Sequence, residues 1–283
     1  MSVSNPQKSV SVIVVTFNSV ERIASCLRAL RDEVDSIGGE IIIYDNASGD
    51  ATVRAVESAF PDVRIIKGEK NIGFAAANNQ AVLEADGDHI LFANPDLVLD
   101  HGSIALMLKE LTARPDAGAV TARMRHPDES FQPTCRKLPT MKNIFFSRGS
   151  MLGRSGKSDE YTLGDSDEIT EVPAAAATCL MLSRVFFEQL GGFDKRFFMF
   201  MEDTDLSLRI GEAGKKIYFI PEAGGVHFWG RGAAVSNYKR LWHHHKSVWK
   251  YFLKHFPNGF SLLLLPIALL ANFILRALLG KSR

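Results

Sequence analysis

Several groups of residues in this chain have types and spacing suited to chemistry. The densest is Glu202-Asp203-Thr204-Asp205, which follows the aromatic run Phe197-Phe198-Met199-Phe200. Apolar neighbours raise a carboxylate's pKa, as a general base requires. Acids at a helix start also serve simply as dipole complements, so Glu202 and Asp203 stay open to both readings. Asp205 can pair with Arg209 one turn on. In Asn94-Pro95-Asp96, Asp96 can supply a hard oxygen ligand to Mg²⁺ or Mn²⁺. Such a cation neutralises a departing diphosphate. His227, in Val226-His-Phe-Trp-Gly-Arg-Gly232, is a nitrogen ligand that would favour Mn²⁺ over Mg²⁺. Polar groups also follow three earlier apolar stretches: Thr16-Phe17-Asn18, Asp45-Asn46, and Asn71-Ile72-Gly73 leading into Asn78-Asn79. Asp45 can accept hydrogen bonds from a base or ribose. Each of these segments alone makes an ordinary turn; their value depends on whether they meet.

The elements between them say where they would meet. Val10–Thr16 is a β-branched, nearly continuous apolar run, as in a strand covered on both faces. Glu21–Val34 has helical spacing through Ile23, Leu27, Leu30 and Val34. Strands at Ile41–Tyr44, Val63–Ile66 and Asp88–Phe92 then alternate with helices at Ala51–Phe60 and Phe74–Ala85. Strand–helix alternation of this period implies βαβ units, a parallel sheet and right-handed crossovers with helices on both faces. Ligands of such sheets bind beyond the carboxyl ends of the strands, which is where the polar segments lie. Ala174–Leu182 reads as buried, and Lys216–Ile220 as a strand ended by Pro221. The stretch from about 123 to 172, punctuated by Pro127, Pro133 and Pro139, reads as a loop-rich insertion.

Composition narrows the classes. The 283 residues include 33 Lys+Arg against 32 Asp+Glu, so a backbone-tracking nucleic-acid binder is disfavoured. No GxGxxG or GxxxxGK[ST] occurs, which disfavours a dehydrogenase or P-loop enzyme. The three scattered cysteines suit a reducing cytosol better than a disulfide scaffold.

Taken in order, Val12-Ile-Val-Val-Thr-Phe-Asn18, Tyr44-Asp-Asn-Ala-Ser-Gly-Asp50, Asn71-Ile-Gly-Phe-Ala-Ala-Ala-Asn-Asn79, Asn94-Pro-Asp96, Gly191-Gly-Phe-Asp194 and Glu202-Asp-Thr-Asp-Leu206 resemble the inverting glycosyltransferases of family 2. Within that family the resemblance is to bacterial rhamnosyltransferase-like members. It implies a GT-A fold, a doubly wound and mostly parallel sheet. It also implies an inverting transferase moving a sugar, rhamnose from a dTDP-linked donor, to a cell-surface glycan or polyprenyl-diphosphate-linked acceptor. The site residues it implies are Thr16, Asn18, Asp45, Asn46, Gly73, Asn78 and Asn94 on the nucleotide sugar. Asp96 and His227 would hold a divalent metal (Mn²⁺ or Mg²⁺), and Asp203, beside Glu202, would be the catalytic base. Where relatives carry an aromatic residue and a Gly-Ala pair, this chain has Pro173-Ala-Ala-Ala-Ala-Thr178.

The same reading divides the chain into a transferase domain over 1–235, whose insertion at about 123–172 would shape the acceptor side, and a helical extension over 236–283. Tyr238–Phe256 interleaves five cations with aromatic residues, as interfacial helices do. Ser261–Leu279 is about long enough to span a bilayer, though Pro266, Asn272 and Arg276 interrupt it. The expectation is a cytoplasmic protein on the inner face of the membrane, with a single C-terminal segment or a homo-oligomer contact as further options. A UDP-linked donor, a nucleotidyltransferase and a membrane-tethered scaffold remain alternatives.

Overall fold

The computed structural model describes residues 8–140, 162–229 and 237–278. Its centre is a sheet of ten strands among those residues. The first half follows the expected alternation: β1 (Lys8–Thr16), α1 (Ile23–Ile37), β2 (Glu40–Asp45), α2 (Thr52–Ala59), β3 (Arg64–Lys67), α3 (Phe74–Val82) and β4 (Gly87–Ala93). Strands β3, β2, β1 and β4 lie side by side and parallel. Then come β5 (Leu97–Leu99), α4 (Ser103–Ala113), β6 (Ala117–Arg125), β7 (Phe131–Gln132), β8 (Cys135–Arg136), β9 (Thr170–Val172), β10 (Ala174–Ala175) and β11 (Cys179–Ser183). The chain goes on through α5 (Arg184–Gln189), α6 (Glu202–Glu212), β12 (Lys216–His227), α7 (Asn237–His255), a π-helical turn at Phe260–Leu264 and α8 (Leu265–Leu278).

The sheet order is β3-β2-β1-β4-β11-β6-β12-β5. Strand β11 runs antiparallel between β4 and β6, β12 is parallel to β6, and β5 closes the edge antiparallel to β12. Alternate residues of β1 serve two cores, as the period of two requires. Val10, Val12 and Val14 pack with α1 and α4 on one face. Ile13 and Val15 pack on the other with α3, Phe187 of α5, and Leu206 and Ile210 of α6. The sheet is therefore covered on both sides.

Three elements differ from the sequence expectation. Pro221 does not end β12. The strand passes it through a register irregularity between Ile220 and Gly224, where a missing N–H costs no ladder bond. The helix over 74–85 stops at Val82. The stretch read as a loop-rich insertion holds the end of β6 and all of β7, β8 and β9; β7 folds back on β6 as a short hairpin, whereas β8 and β9 pair with strands distant in sequence. Residues 141–161 of it lie outside the described residues.

Helix α7 packs on the domain through Val248, Tyr251 and Phe252, which meet Phe197, Met201 and Leu265. Beside this contact lies Asp205, fully buried. It accepts from Arg209 Nε at 2.9 Å, Lys254 Nζ at 2.5 Å and His255 Nε2 at 2.7 Å. The expected Asp205–Arg209 pair forms, and two groups from α7 join it.

Removing one partner of a buried charge network leaves the others uncompensated, at a cost of about 3–5 kcal/mol. Asp205→Ala is expected to lower unfolding stability by that amount in urea titrations, with Arg209 and Lys254 stranded against α6.

Candidate active site

Residues at the carboxyl ends of β1, β2, β4 and β12 border one cavity of about 330 Å³, where a doubly wound sheet places ligands. Val15, Phe17, Asn46, Asn71 and Gly73 line one part of it, Asn94, Pro95, Asp96 and His227 a second, and Glu202 and Asp203 a third. Six segments separate in sequence thus converge.

The second part is built by the pairing of β5 with β12. Leu97 stands opposite His227, and Phe228 N–H donates to Asp96 O at 3.0 Å. Gly225 allows this approach: a Cβ there would sit 2.7 Å from Val98 O. As a result His227 Nε2 lies 3.2 Å from Asp96 Oδ1, with both side chains buried. Asn94 Nδ2 is 3.3 Å from the same nitrogen, and His227 Nδ1 is 2.6 Å from Gln132 Oε1. One carboxylate oxygen and one imidazole nitrogen pointing together suit Mn²⁺. No group of three or more His, Cys, Asp or Glu side chains stands ready for a metal among the described residues. Two protein ligands are nevertheless enough where substrate phosphates complete the shell.

The third part stands at the start of α6. Phe200 and Met201 both adopt left-handed backbone, at φ 68°, a strained state for side chains of this size. It turns the chain sharply so that Glu202 and Asp203 open the helix facing the cavity. Asp203 Oδ2 pairs with Arg136, and its Oδ1 accepts from Thr204 N–H at 2.6 Å. Glu202 differs: its Oε2 is buried with no partner among the described residues. Burial, and then the charge of Asp203, pushes its carboxyl up to about 8. Near neutral pH the Glu202 carboxyl therefore holds its proton.

The first part is braced by a polar layer behind it. Thr16 Oγ1 donates to Asp45 Oδ1 at 2.8 Å, and Ser48 N–H and Oγ donate to Asp45 at 2.9 and 2.6 Å. Asn18 accepts from Gly49 N–H at 2.7 Å. Asn46 receives Ile72 N–H at 2.8 Å and donates to Gly73 O at 3.2 Å. Gly73 is required here. Its φ is +87°, and a Cβ would lie 2.4 Å from Phe198 O.

Of the residues singled out from sequence, Asn46, Gly73, Asn94, Asp96, Glu202, Asp203 and His227 line the cavity. Thr16, Asn18 and Asp45 stand in the bracing layer. Asn78 is buried in α3 and donates to Phe74 O at 2.9 Å. Sequence reasoning passed over Gln132, Thr134, Arg136, Phe198, Trp229 and Arg240, all of which line the cavity. Gln132 and Arg136 belong to strands of two residues, too short for any periodicity to mark. Gly230–Gly232 of the histidine segment lie outside the described residues. Cys26, Cys135 and Cys179 are buried. Burial raises all three thiols, Cys135 and Cys179 to about 12, so none is a thiolate nucleophile at neutral pH.

The family model described as "Glycosyl transferase family 2" matches residues 11–191. An N-acetylglucosaminyl-diphospho-decaprenol L-rhamnosyltransferase of Mycobacterium tuberculosis is 30% identical over 84% of this chain and 82% of its own. Rhamnosyltransferase WbbL of Escherichia coli is 26% identical over 77% of this chain and 83% of its own. The mannosyltransferase PcManGT from Pyrobaculum calidifontis, solved with GDP-Man and Mn²⁺, superposes with a TM-score of 0.59 at 19% identity. That superposition covers 96% of this chain and 76% of the other.

The raised Glu202 carboxyl gives a pH signature. The folded pKa of about 8 lies above the ordinary 4.5, so the folded chain keeps a proton that the unfolded chain releases. Stability is then undiminished below about pH 4.5 and falls as pH rises to about 8. Thermal melts across this range are expected to show Glu202→Gln gaining on the wild type as pH rises, with the gain levelling off above about pH 8.

Proposed function

Because the chain belongs to glycosyl transferase family 2 and is a glycosyltransferase with a GT-A fold, we propose that it moves rhamnose from a dTDP-linked donor to a hydroxyl of a polyprenyl-diphosphate-linked sugar, with inversion. The observation that carries this reading is one cavity bordered at once by the Asp96–His227 pair and the Glu202–Asp203 pair. The two relatives named above support the sugar and the first of them the acceptor; both assignments are ours for this chain.

The nucleotide of the donor lies along Asn46, Asn71 and Gly73, over the layer built from Thr16, Asn18 and Asp45. Asp96 and His227 fit a divalent cation, which when bound neutralises charge on the diphosphate. Asp203 is the base. Arg136, paired with it in the free chain, must share it with the incoming hydroxyl. Asp203 takes the hydroxyl proton as the acceptor oxygen bonds to the anomeric carbon. The bond from that carbon to the phosphate oxygen breaks, and its electron pair leaves with the diphosphate. Attack from the face opposite the nucleotide inverts the centre. A single base suffices, unlike the two carboxyl groups of a glycosidase. Glu202, protonated beside Asp203, leaves the second carboxyl neutral and keeps like charges apart.

A lipid-linked acceptor calls for a lipid surface, and α8 offers a face for one. Leu265, Leu269 and Asn272 turn inward onto α7, and His245 Nε2 lies 3.0 Å from Asn272 Oδ1. Leu263, Ile267, Leu270 and Ile274 turn outward and are about half exposed or more. At about 1.5 Å per residue the 14 residues of α8 reach about 21 Å. No helix among the described residues is long and apolar enough to cross a membrane. This corrects the spanning option for the C-terminal segment. Residues 237–278 contain no acid; Lys254 is bonded to Asp205 and Arg240 borders the cavity, and Lys239, Lys246 and Lys250 are the other lysines of α7. An anionic lipid surface complements this charge, whereas a second copy of the same face would set cation against cation. The helix then lies in the plane of the interface.

Two experiments test this reading. Asp203→Asn is expected to lose about 10²–10⁴-fold in transfer, the range for a general base, while dTDP with Mn²⁺ still stabilises it thermally. Asp96→Ala loses the Mn²⁺-dependent part of that stabilisation. Wild-type turnover in Asp203→Asn refutes the assignment. Flotation with vesicles containing anionic lipid is expected to recover the wild type but not Leu263→Asp/Ile267→Asp. Equal flotation of both shows that this face is not the docking surface.

A further inference from the structure

We propose that Gln132 is a positioning residue that sets which nitrogen of His227 carries its proton, and so prepares Nε2 as a ligand. This rests on the reading of Asp96 and His227 as a cation site. Gln132 lies on β7, 1% exposed, where pairing with Met124 of β6 holds its backbone. The two ends of its amide are fixed by different neighbours. His227 O, which can only accept, lies 3.4 Å from Gln132 Nε2, and His126 Nδ1 lies 2.9 Å from it. The Nε2 end is thus the amide NH₂, and Oε1 is left to meet His227 Nδ1 at 2.6 Å. An amide oxygen can only accept, so His227 Nδ1 is the protonated nitrogen.

The other side of the ring agrees. Asn94 Nδ2 stands 3.3 Å from His227 Nε2, a donor facing a nitrogen that a neutral ring leaves bare. An acceptor at Nδ1 and a donor at Nε2 select the same tautomer. Nε2 also lies 3.2 Å from Asp96 Oδ1, an acceptor that competes for the proton; the shorter contact, 2.6 Å from Nδ1 to Gln132 Oε1, together with the Asn94 donor, places it on Nδ1. A neutral ring with the other tautomer would set the Nδ1 lone pair against Gln132 Oε1 in a buried site, where unmatched polar groups are costly. Outer partners of ligating histidines act in this way, and their loss typically lowers metal affinity 10–100-fold. His227 and Gln132 are distant in sequence and meet only because β7 folds back along β6 while β12 runs on its other side.

The experiment has two readouts, neither of them turnover. Nitrogen-15 NMR of the wild type, at a pH where His227 is neutral, reports the tautomer directly; Nδ1–H is expected. Mn²⁺ titration followed by electron paramagnetic resonance reports affinity for the metal alone. Gln132→Met, which removes the acceptor at similar volume, is expected to weaken Mn²⁺ binding 10–100-fold and to mix the tautomers. Gln132→Glu, which keeps an acceptor at that position, restores the tautomer and most of the affinity; a purely structural role for Gln132 predicts no such rescue. A neutral wild-type His227 protonated on Nε2 overturns the proposal, as does unchanged Mn²⁺ affinity in Gln132→Met. A wild type that shows Nδ1–H but binds no Mn²⁺ overturns the cation-site reading and leaves the tautomer assignment standing.

Discussion

The cavity end of this molecule depends on one buried carboxylate. Asp205 lies two positions after Asp203 on α6, with no exposure to water, and is compensated by Arg209 of its own helix and by Lys254 and His255 of α7. A charge in that position is tolerable only while its partners stay in place. The requirement ties α7 to α6, and with α6 the pair Glu202–Asp203. Asp194 extends the network. It too is bonded by Lys254, and the Arg196 and Lys254 bonds outweigh burial, holding its carboxyl well below the ordinary range. The strained turn at Phe200 and Met201 lies inside this clamp. It is held by Ser247 Oγ donating to Met199 O at 2.8 Å and by the stacking of His243 on Phe198.

The C-terminal helices therefore belong to the architecture of the site. The triplet His243-His244-His245 shows why consecutive residues on a helix do different work. His243 stacks on Phe198, His244 meets Phe200 edge-on, and His245 reaches Asn272 of α8. Helical spacing sends the three rings in three directions, so they brace two elements and do not gather round an ion. Arg240, from the same helix, reaches the cavity. A segment with a strong apolar outer face thus also supplies a wall of the pocket.

Within the cavity the polar groups are sorted by their surroundings. Asp203 has a cation and a backbone donor; its neighbour Glu202 has neither for its buried oxygen. The Glu202 carboxyl is therefore pushed up by burial, while Asp203 has partners for a charge. Across the cavity, Asp96 and His227 approach through backbone pairing of β5 and β12, so the spacing of that pair is set by a sheet ladder and not by flexible loops.

Much of this protein was determined by the sequence alone. The apolar period in β1, the alternation through β4 and the polar residues after each strand define a two-sided sheet with a ligand rim, because burial and strand geometry act locally. The order of Thr16, Asp45, Gly73, Asp96 and Asp203 carried the family resemblance. What remained was non-local. Gln132 and Arg136 sit on two-residue strands, Pro221 rides over an irregularity of β12, and Asp205 is neutralised by residues 49 and 50 positions away. No local pattern marks such residues, since their roles come from which strands become neighbours. Only the tertiary structure decided that Arg136 would face Asp203, that Gln132 would hold His227, and that α8 would turn leucines both inward and outward. A helix this apolar carries little sequence mark of which side finds a partner; packing against α7 chose it.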